Sequence, residues 1–218
     1  MDKKIILEEA AKSRIIAIFR GIDADHCSAA ANALFDGGIC FCEVTFNQKE
    51  TEGRFASTLD GIRNIIAGAE GRKLFVGAGT VLTTEQVVLA YEAGAQFIIT
   101  PNVNTEVIRL ANSLGMATMP GAFTPTEVEH AYAAGADIVK IFPAADLGPS
   151  YLKAIRGPLS HIPLMAVGGI DEKNGKSFLD AGAIGLGIGG NLVSKKLISE
   201  GKYDELRKLA ETDVASIA

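Results

Sequence analysis

Ala134-Gly135-Ala136-Asp137-Ile138-Val139-Lys140-Ile141-Phe142-Pro143 carries the chain from the end of one element through the whole of the next. Gly135 stands where a helix stops in a left-handed turn. Ile138–Phe142 is a short apolar run, the pattern of a parallel strand covered on both faces. The same junction recurs as Asp36-Gly37-Gly38, Ala93-Gly94-Ala95, Leu114-Gly115-Met116 and Ala181-Gly182-Ala183. Gly94, Gly115 and Gly135 follow one another at about 20 residues, the length of a compact strand–helix unit.

Working outward from that unit, further strands are predicted at Ile15–Phe19, Phe41–Phe46, Leu74–Ala78, Phe97–Thr100, Ala117–Pro120, Leu164–Val167 and Ile184–Ile188. Helical patterns lie between them, as in Ala24–Asp36, Thr84–Ala93 and Thr126–Ala134. Eight strands alternating with helices predict an α/β fold, a single-domain TIM (β/α)8 barrel over residues 1–218. Met1–Arg14 mixes charged residues with Ile and Leu and reads as an amphipathic lead-in helix rather than a signal peptide. A doubly wound open sheet is the competing architecture. No linker or low-complexity segment marks a domain boundary.

The 218 residues suffice for one sizeable core. A hydrophobic content of 48%, with 22% charged residues and 24 glycines, is a globular profile with many tight turns. The net charge of −5, without a Lys/Arg run, argues against nucleic-acid binding. No apolar stretch reaches the length of a membrane span, and a cytoplasmic protein is expected. Cys27, Cys40 and Cys42 are odd in number and lack CxxC spacing, so buried reduced thiols are expected. His26, His130 and His161 fall on predicted helices or a loop, on the surface and away from the strand ends. This removes the usual metal ligands and points to chemistry without metal or cofactor.

In a TIM barrel the chemistry sits at the C-terminal strand ends. Lys140 lies within an apolar strand, where a cation is costly. Burial favours its neutral amine, a nucleophile toward a carbonyl. A lysine snorkelling to the mouth or paired with a structural acid is the other reading. In Phe41-Cys42-Glu43-Val44-Thr45-Phe46, alternation puts Glu43 and Thr45 on one face, so Glu43 is the candidate proton carrier opposite Lys140, or its ion-pair partner. Gly168-Gly169 and Gly187–Gly190 follow the last two strands, where backbone N–H groups of such barrels often bind phosphate.

At these residues the chain resembles the KHG/KDPG aldolase family, whose members act on 4-hydroxy-2-oxoglutarate and 2-dehydro-3-deoxy-6-phosphogluconate. The resemblance runs from Ile16-Ala17-Ile18-Phe19-Arg20 to the Gly187–Asn191 turn. It is most specific at Glu43-Val44-Thr45-Phe46, Val76-Gly77-Ala78-Gly79-Thr80-Val81-Leu82, Thr100-Pro101-Asn102 and Val139-Lys140-Ile141-Phe142-Pro143. It implies a class I (Schiff-base) aldolase, a carbon–carbon lyase of carbohydrate-acid metabolism of the Entner–Doudoroff kind. The products would be pyruvate and glyceraldehyde 3-phosphate, or pyruvate and glyoxylate from 4-hydroxy-2-oxoglutarate. Lys140 would form the Schiff base and Glu43 shuttle protons. Arg20 and Thr80 would hold the carboxylate, Pro101 and Phe142 would line the pyruvate pocket, and Gly168, Gly169, Gly189, Gly190 and Asn191 would receive the phosphate. A homotrimer is also implied.

Three positions depart from the commonest pattern. Asn47 stands where many members carry arginine, and Asn191 replaces a small polar residue at the phosphate turn. Val167 replaces the threonine before Gly168-Gly169, as in the branch cleaving the C4 epimer, 2-dehydro-3-deoxy-6-phosphogalactonate. A barrel that binds a sugar phosphate without aldol chemistry is the alternative from another class.

Overall fold

The computed structural model describes residues 2–50, 54–69 and 71–218. The chain opens with α1 (Lys3–Ser13), then alternates β1 (Ile15–Phe19), α2 (Ala24–Asp36), β2 (Phe41–Thr45), α3 (Ala56–Ala67), β3 (Phe75–Gly79) and α4 (Thr84–Glu92). It continues through β4 (Phe97–Ile99), α5 (Thr105–Ser113), β5 (Ala117–Met119), β6 (Gly121–Ala122), α6 (Pro125–Ala133) and β7 (Val139–Ile141). Two short helices, α7 (Ala144–Leu147) and α8 (Pro149–Arg156), precede β8 (Leu164–Val167) and α9 (Gly175–Asp180). The last segment is β9 (Gly185–Ile188), α10 (Lys195–Ser199) and α11 (Tyr203–Ser216).

All pairings are parallel, in the order β5-β4-β3-β2-β1-β9-β8-β7-β6. These strands occupy the eight expected positions, because β5 and β6 are two halves of the fifth. Pro120 divides them: it points toward β7, as its carbonyl shows, and has no N–H to give there, so the ladder between β5 and β7 is incomplete. Before the break β5 pairs with β4, and after it β6 pairs with β7. The Pro120 carbonyl accepts the Lys140 N–H at 2.8 Å, which carries the ring across the gap.

Side chains divide by strand alternation. Ala17, Phe19, Cys42, Val44, Val76, Val139 and Ile141 join the outer core beneath the helices. Ile16, Ile18, Phe41, Phe75, Phe97, Met119, Met165 and Val167 fill the inside of the barrel. Phe41 stacks on Phe75 at 4.4 Å between ring centroids and tilts against Phe97 at 5.8 Å, making an aromatic floor. Ile6 and Ala10 of α1 belong to this inner core and close the barrel from below. The lead-in helix is therefore a plug, held at its start by the Asp2 side chain accepting from the Lys4 N–H.

The junction glycines behave as the turns require: Gly38, Gly94, Gly115, Gly135 and Gly182 all have positive φ. Cys27 and Cys42 are buried and Cys40 half-buried, all three free thiols. Burial pushes the Cys27 thiol up to about 12 and Cys42 higher still, so both stay protonated and inert. Among the described residues, no helix is long and apolar enough to cross a membrane.

Candidate active site

Alternation turns Glu43 of β2 and Lys140 of β7 into the barrel, since their neighbours Cys42, Val44, Val139 and Ile141 pack outward. Register sets Glu43 beside Ile18 and Gly77, and Lys140 beside Gly121 and Met165. Glu43 is 2% exposed and Lys140 5%, so the lysine does not snorkel to solvent. Its Nζ lies 4.6 Å from the centroid of the Phe142 ring. Among the described residues no ion pair within 4.0 Å joins amine and carboxyl, and Glu43 Oε2 has no hydrogen-bond partner. A structural salt bridge would close that gap; here the two groups face a shared space.

Electrostatics follow from that burial. Burial pushes the Glu43 carboxyl up to about 7, against the opposing pull of Lys140 and Arg20. Burial also holds the Lys140 amine below its ordinary value; Glu43 opposes this and the Arg20 charge adds to it. A neutral amine beside a carboxyl titrating near neutrality can add to a carbonyl and then move protons.

Gly79 at the end of β3 makes room for the carboxyl. A Cβ there would lie 2.5 Å from Glu43 Oε2 and 2.9 Å from the Thr45 methyl. Gly79→Ala is therefore expected to displace the carboxyl and lower kcat by about tenfold or more, with a stability loss of about 1–3 kcal/mol from overpacking. Steady-state rates and thermal melts check this; an unchanged kcat would contradict it.

At the C-terminal ends of β1, β2 and β3 opens a cleft of about 740 Å³, lined among others by Arg20, Thr45, Asn47, Gln48, Lys49, Thr80 and Lys195 and not by Glu43 or Lys140 themselves. Arg20 is exposed at its edge. Thr80 has φ of +56°, a costly conformation for a β-branched residue. A relay of amides braces it. Gln48 Nε2 donates to the Thr80 carbonyl at 2.8 Å, Gln86 Nε2 to Gln48 Oε1 at 2.9 Å, and the Leu82 N–H to Gln86 Oε1 at 2.6 Å.

The glycine turns follow β8 and β9, and β9 pairs with β1, the strand that leads to Arg20. Gly168 and Gly169 have φ of +97° and +70°, and a Cβ on Gly168 would sit 3.0 Å from the Phe142 ring. The N–H groups of Gly168, Gly169, Gly189, Gly190 and Asn191 make no hydrogen bond among the described residues, as an anion cradle requires. Phe142 and Pro101 are both half-buried, with Phe142 against the inner core and the Pro101 carbonyl against Gly121. Asn191 is set apart. It borders a groove shared with Asp171, Glu172 and Asp213 rather than the cleft of Arg20 and Thr80.

His130 and His161 are exposed, whereas His26 is half-buried, its Nδ1 3.1 Å from the Tyr203 hydroxyl. None of the three lines the cleft. Among the described residues no group of His, Cys, Asp and Glu is placed to hold a metal ion.

The model of the KDPG and KHG aldolase family matches residues 6–209. The chain belongs to that family. This aldolase is thus a carbon–carbon lyase. It is 41% identical over 182 residues to the 2-dehydro-3-deoxy-6-phosphogalactonate aldolase of Escherichia coli K12, covering 83% of this chain and 85% of the relative. It is 34% identical to the 2-dehydro-3-deoxy-phosphogluconate aldolase of Haemophilus influenzae, covering 94% and 92%. Among solved structures, the KDPG aldolase of Legionella pneumophila, with pyruvate captured at low pH as a covalent carbinolamine, superposes with a TM-score of 0.81. It is 27% identical, with 92% of this aldolase and 94% of that chain covered.

Sequence reasoning missed Gln48, Gln86 and Lys195. Gln86 is 1% exposed yet polar, and it sits three residues after Thr83 in a capping box, which is the signal that was available for it. Lys195 opens a five-residue helix and carries no local signature.

Proposed function

We propose that this chain cleaves a 2-keto-3-deoxy-6-phospho sugar acid, the gluconate or its C4 epimer, to pyruvate and glyceraldehyde 3-phosphate by class I chemistry. The observation that carries this reading is the buried Lys140 amine, without an ion-pair partner among the described residues, facing the buried carboxyl of Glu43. The amine adds to C2, and loss of water leaves an iminium. Glu43 takes the C4 hydroxyl proton as the C3–C4 bond breaks, and the electron pair moves into the iminium as an enamine. Glyceraldehyde 3-phosphate leaves. Protonation at C3 and hydrolysis then release pyruvate and the free amine. Arg20 and Thr80 hold the carboxylate, Pro101 and Phe142 flank the pyruvate half, and the free N–H groups at Gly168, Gly169, Gly189 and Gly190 take the phosphate. Incubation with pyruvate and borohydride should add a reduced pyruvate to Lys140; an unmodified lysine would defeat the mechanism.

The galactonate epimer is favoured by Val167. This inward-facing residue, 3% exposed, packs near Gly187 and offers an isopropyl group where a threonine would offer a hydroxyl. Losing a hydrogen-bond donor at a sugar-binding position changes which stereochemistry is preferred. Val167→Thr is expected to shift the ratio of kcat/KM values toward the gluconate epimer by about tenfold, the scale of one hydrogen bond. Side-by-side kinetics on both epimers, and on 4-hydroxy-2-oxoglutarate, measure it, and an unchanged ratio removes Val167 from the reading. Residues 1–218 acting as one aldolase domain, assembly as a homotrimer and a place in the cytoplasm complete the proposal, supported by the family resemblance; light scattering tests the trimer.

A further inference from the structure

Lys195 is a cation at the mouth that the aldol chemistry above does not use. It is exposed and has no ion-pair partner among the described residues, although Asp23 lines the same cleft. Its Nζ folds over Gly21, lying 2.9 Å from where a Cβ of that residue would stand, so it reaches the cleft beside Arg20. Gly21 has φ of +61°, and a side chain there would displace the ammonium.

The segment that delivers Lys195 begins at the glycine turn. The Gly189 carbonyl accepts the N–H groups of Leu192 and Val193, both of which are buried, and Ser194 caps α10 by accepting the Leu197 N–H. Lys195 is thus fixed a few residues beyond the unpaired N–H groups of Gly189, Gly190 and Asn191. Position 47 in the same cleft is the neutral Asn47. Arg20 directly follows β1 at the strand end, and its charge acts on both Glu43 and Lys140, whereas Lys195 opens α10, beyond the turn that follows β9. The carboxylate of a 2-keto acid is bonded to the carbon that Lys140 attacks, so it belongs with the nearer cation. An anionic group at the far end of the chain belongs with the outer one.

We infer that Lys195 is a specificity-determining residue that recognises the phosphate of the substrate, while Arg20 serves the carboxylate. This rests on the aldolase reading above. The test separates the two anionic ends with probes that carry one each. Lys195→Ala is expected to raise KM for the phosphorylated sugar acid about tenfold, as loss of a charge-assisted hydrogen bond does, with kcat nearly unchanged. Binding of glycerol 3-phosphate, measured by calorimetry, should weaken by a similar factor. The pyruvate concentration for half-maximal borohydride labelling of Lys140 should not move. Lys195→Arg should recover most of the loss, and Lys196→Ala, which removes the same charge from a residue outside the cleft, should show none. Equal weakening for pyruvate and glycerol 3-phosphate, or no weakening of the latter, overturns the inference. Failure of the aldolase reading looks different: wild-type protein would neither label with pyruvate nor release it, and the glycerol 3-phosphate titration would still decide the role of Lys195.

Discussion

Lys140→Met is expected to lower pyruvate release by on the order of 10⁵-fold, as removal of a covalent nucleophile does, and to raise the thermal midpoint of the same protein. Loss of rate follows from the missing amine. The gain in stability follows from where that amine sits. Its pKa in the folded chain is held below the ordinary 10.5 by burial. Between the two pKa values the unfolded chain binds a proton that the folded chain does not, so wild-type stability rises with pH through that window and is lowest beneath it. Methionine fills a similar volume without a charge to desolvate. Its advantage should therefore be larger at pH 6 than at pH 10.5, the ordinary lysine value, with a midpoint above that of wild type. Melting curves at the two pH values check this. A lower midpoint, or an advantage growing with pH, would mean that Lys140 contributes to folding as a charged group.

Glu43→Gln separates proton transfer from imine formation. The amide retains shape and burial but cannot accept a proton, so kcat should fall about 10²–10⁴-fold. Pyruvate should still be trapped on Lys140, because the nucleophile is intact. The wild-type carboxyl is raised from its ordinary 4.5 to about 7, so the folded chain holds a proton that the unfolded chain releases across that interval. Stability contributed by the protonated form is complete below the lower value and is lost as pH rises through the upper one. Glutamine does not titrate. The variant should therefore gain on wild type between pH 4.5 and about 7 and keep a constant lead above that. In the pH–rate profile the limb near 7 should disappear. Retention of the limb would assign it to another group.

Much of this could be read without coordinates, for a physical reason. Parallel strands covered on both faces must be apolar and must be entered through a turn, so Ile138–Phe142 and its relatives stand out locally. A charged residue inside such a run, as at Glu43 or Lys140, stands out against it. What was hidden is what depends on distant partners. Pro120 interrupts a strand only because β4 and β7 lie on either side of it. Gly79 reads as a turn residue until the Glu43 carboxyl is found packed against it. Lys195 is one of many surface lysines until Gly21 is placed beneath it. Asn191 follows the Gly189-Gly190 pair in sequence, yet the turn sets it beside Asp171 and Asp213 instead of the cleft.

The aromatic floor of Phe41, Phe75 and Phe97, with Ile6 of α1 beneath it, closes the barrel from below, so the buried pair is approached from the mouth. In the proposed reaction, water that frees pyruvate from Lys140 would enter along the path that the sugar acid used. While the aldehyde half occupied that path it would act as a stopper, shielding the enamine from bulk solvent until it departed. The order of events is then set by traffic as well as by chemistry: aldehyde out, water in, pyruvate out. In the condensing direction the same queue is reversed, and excess aldehyde bound first would shut pyruvate out.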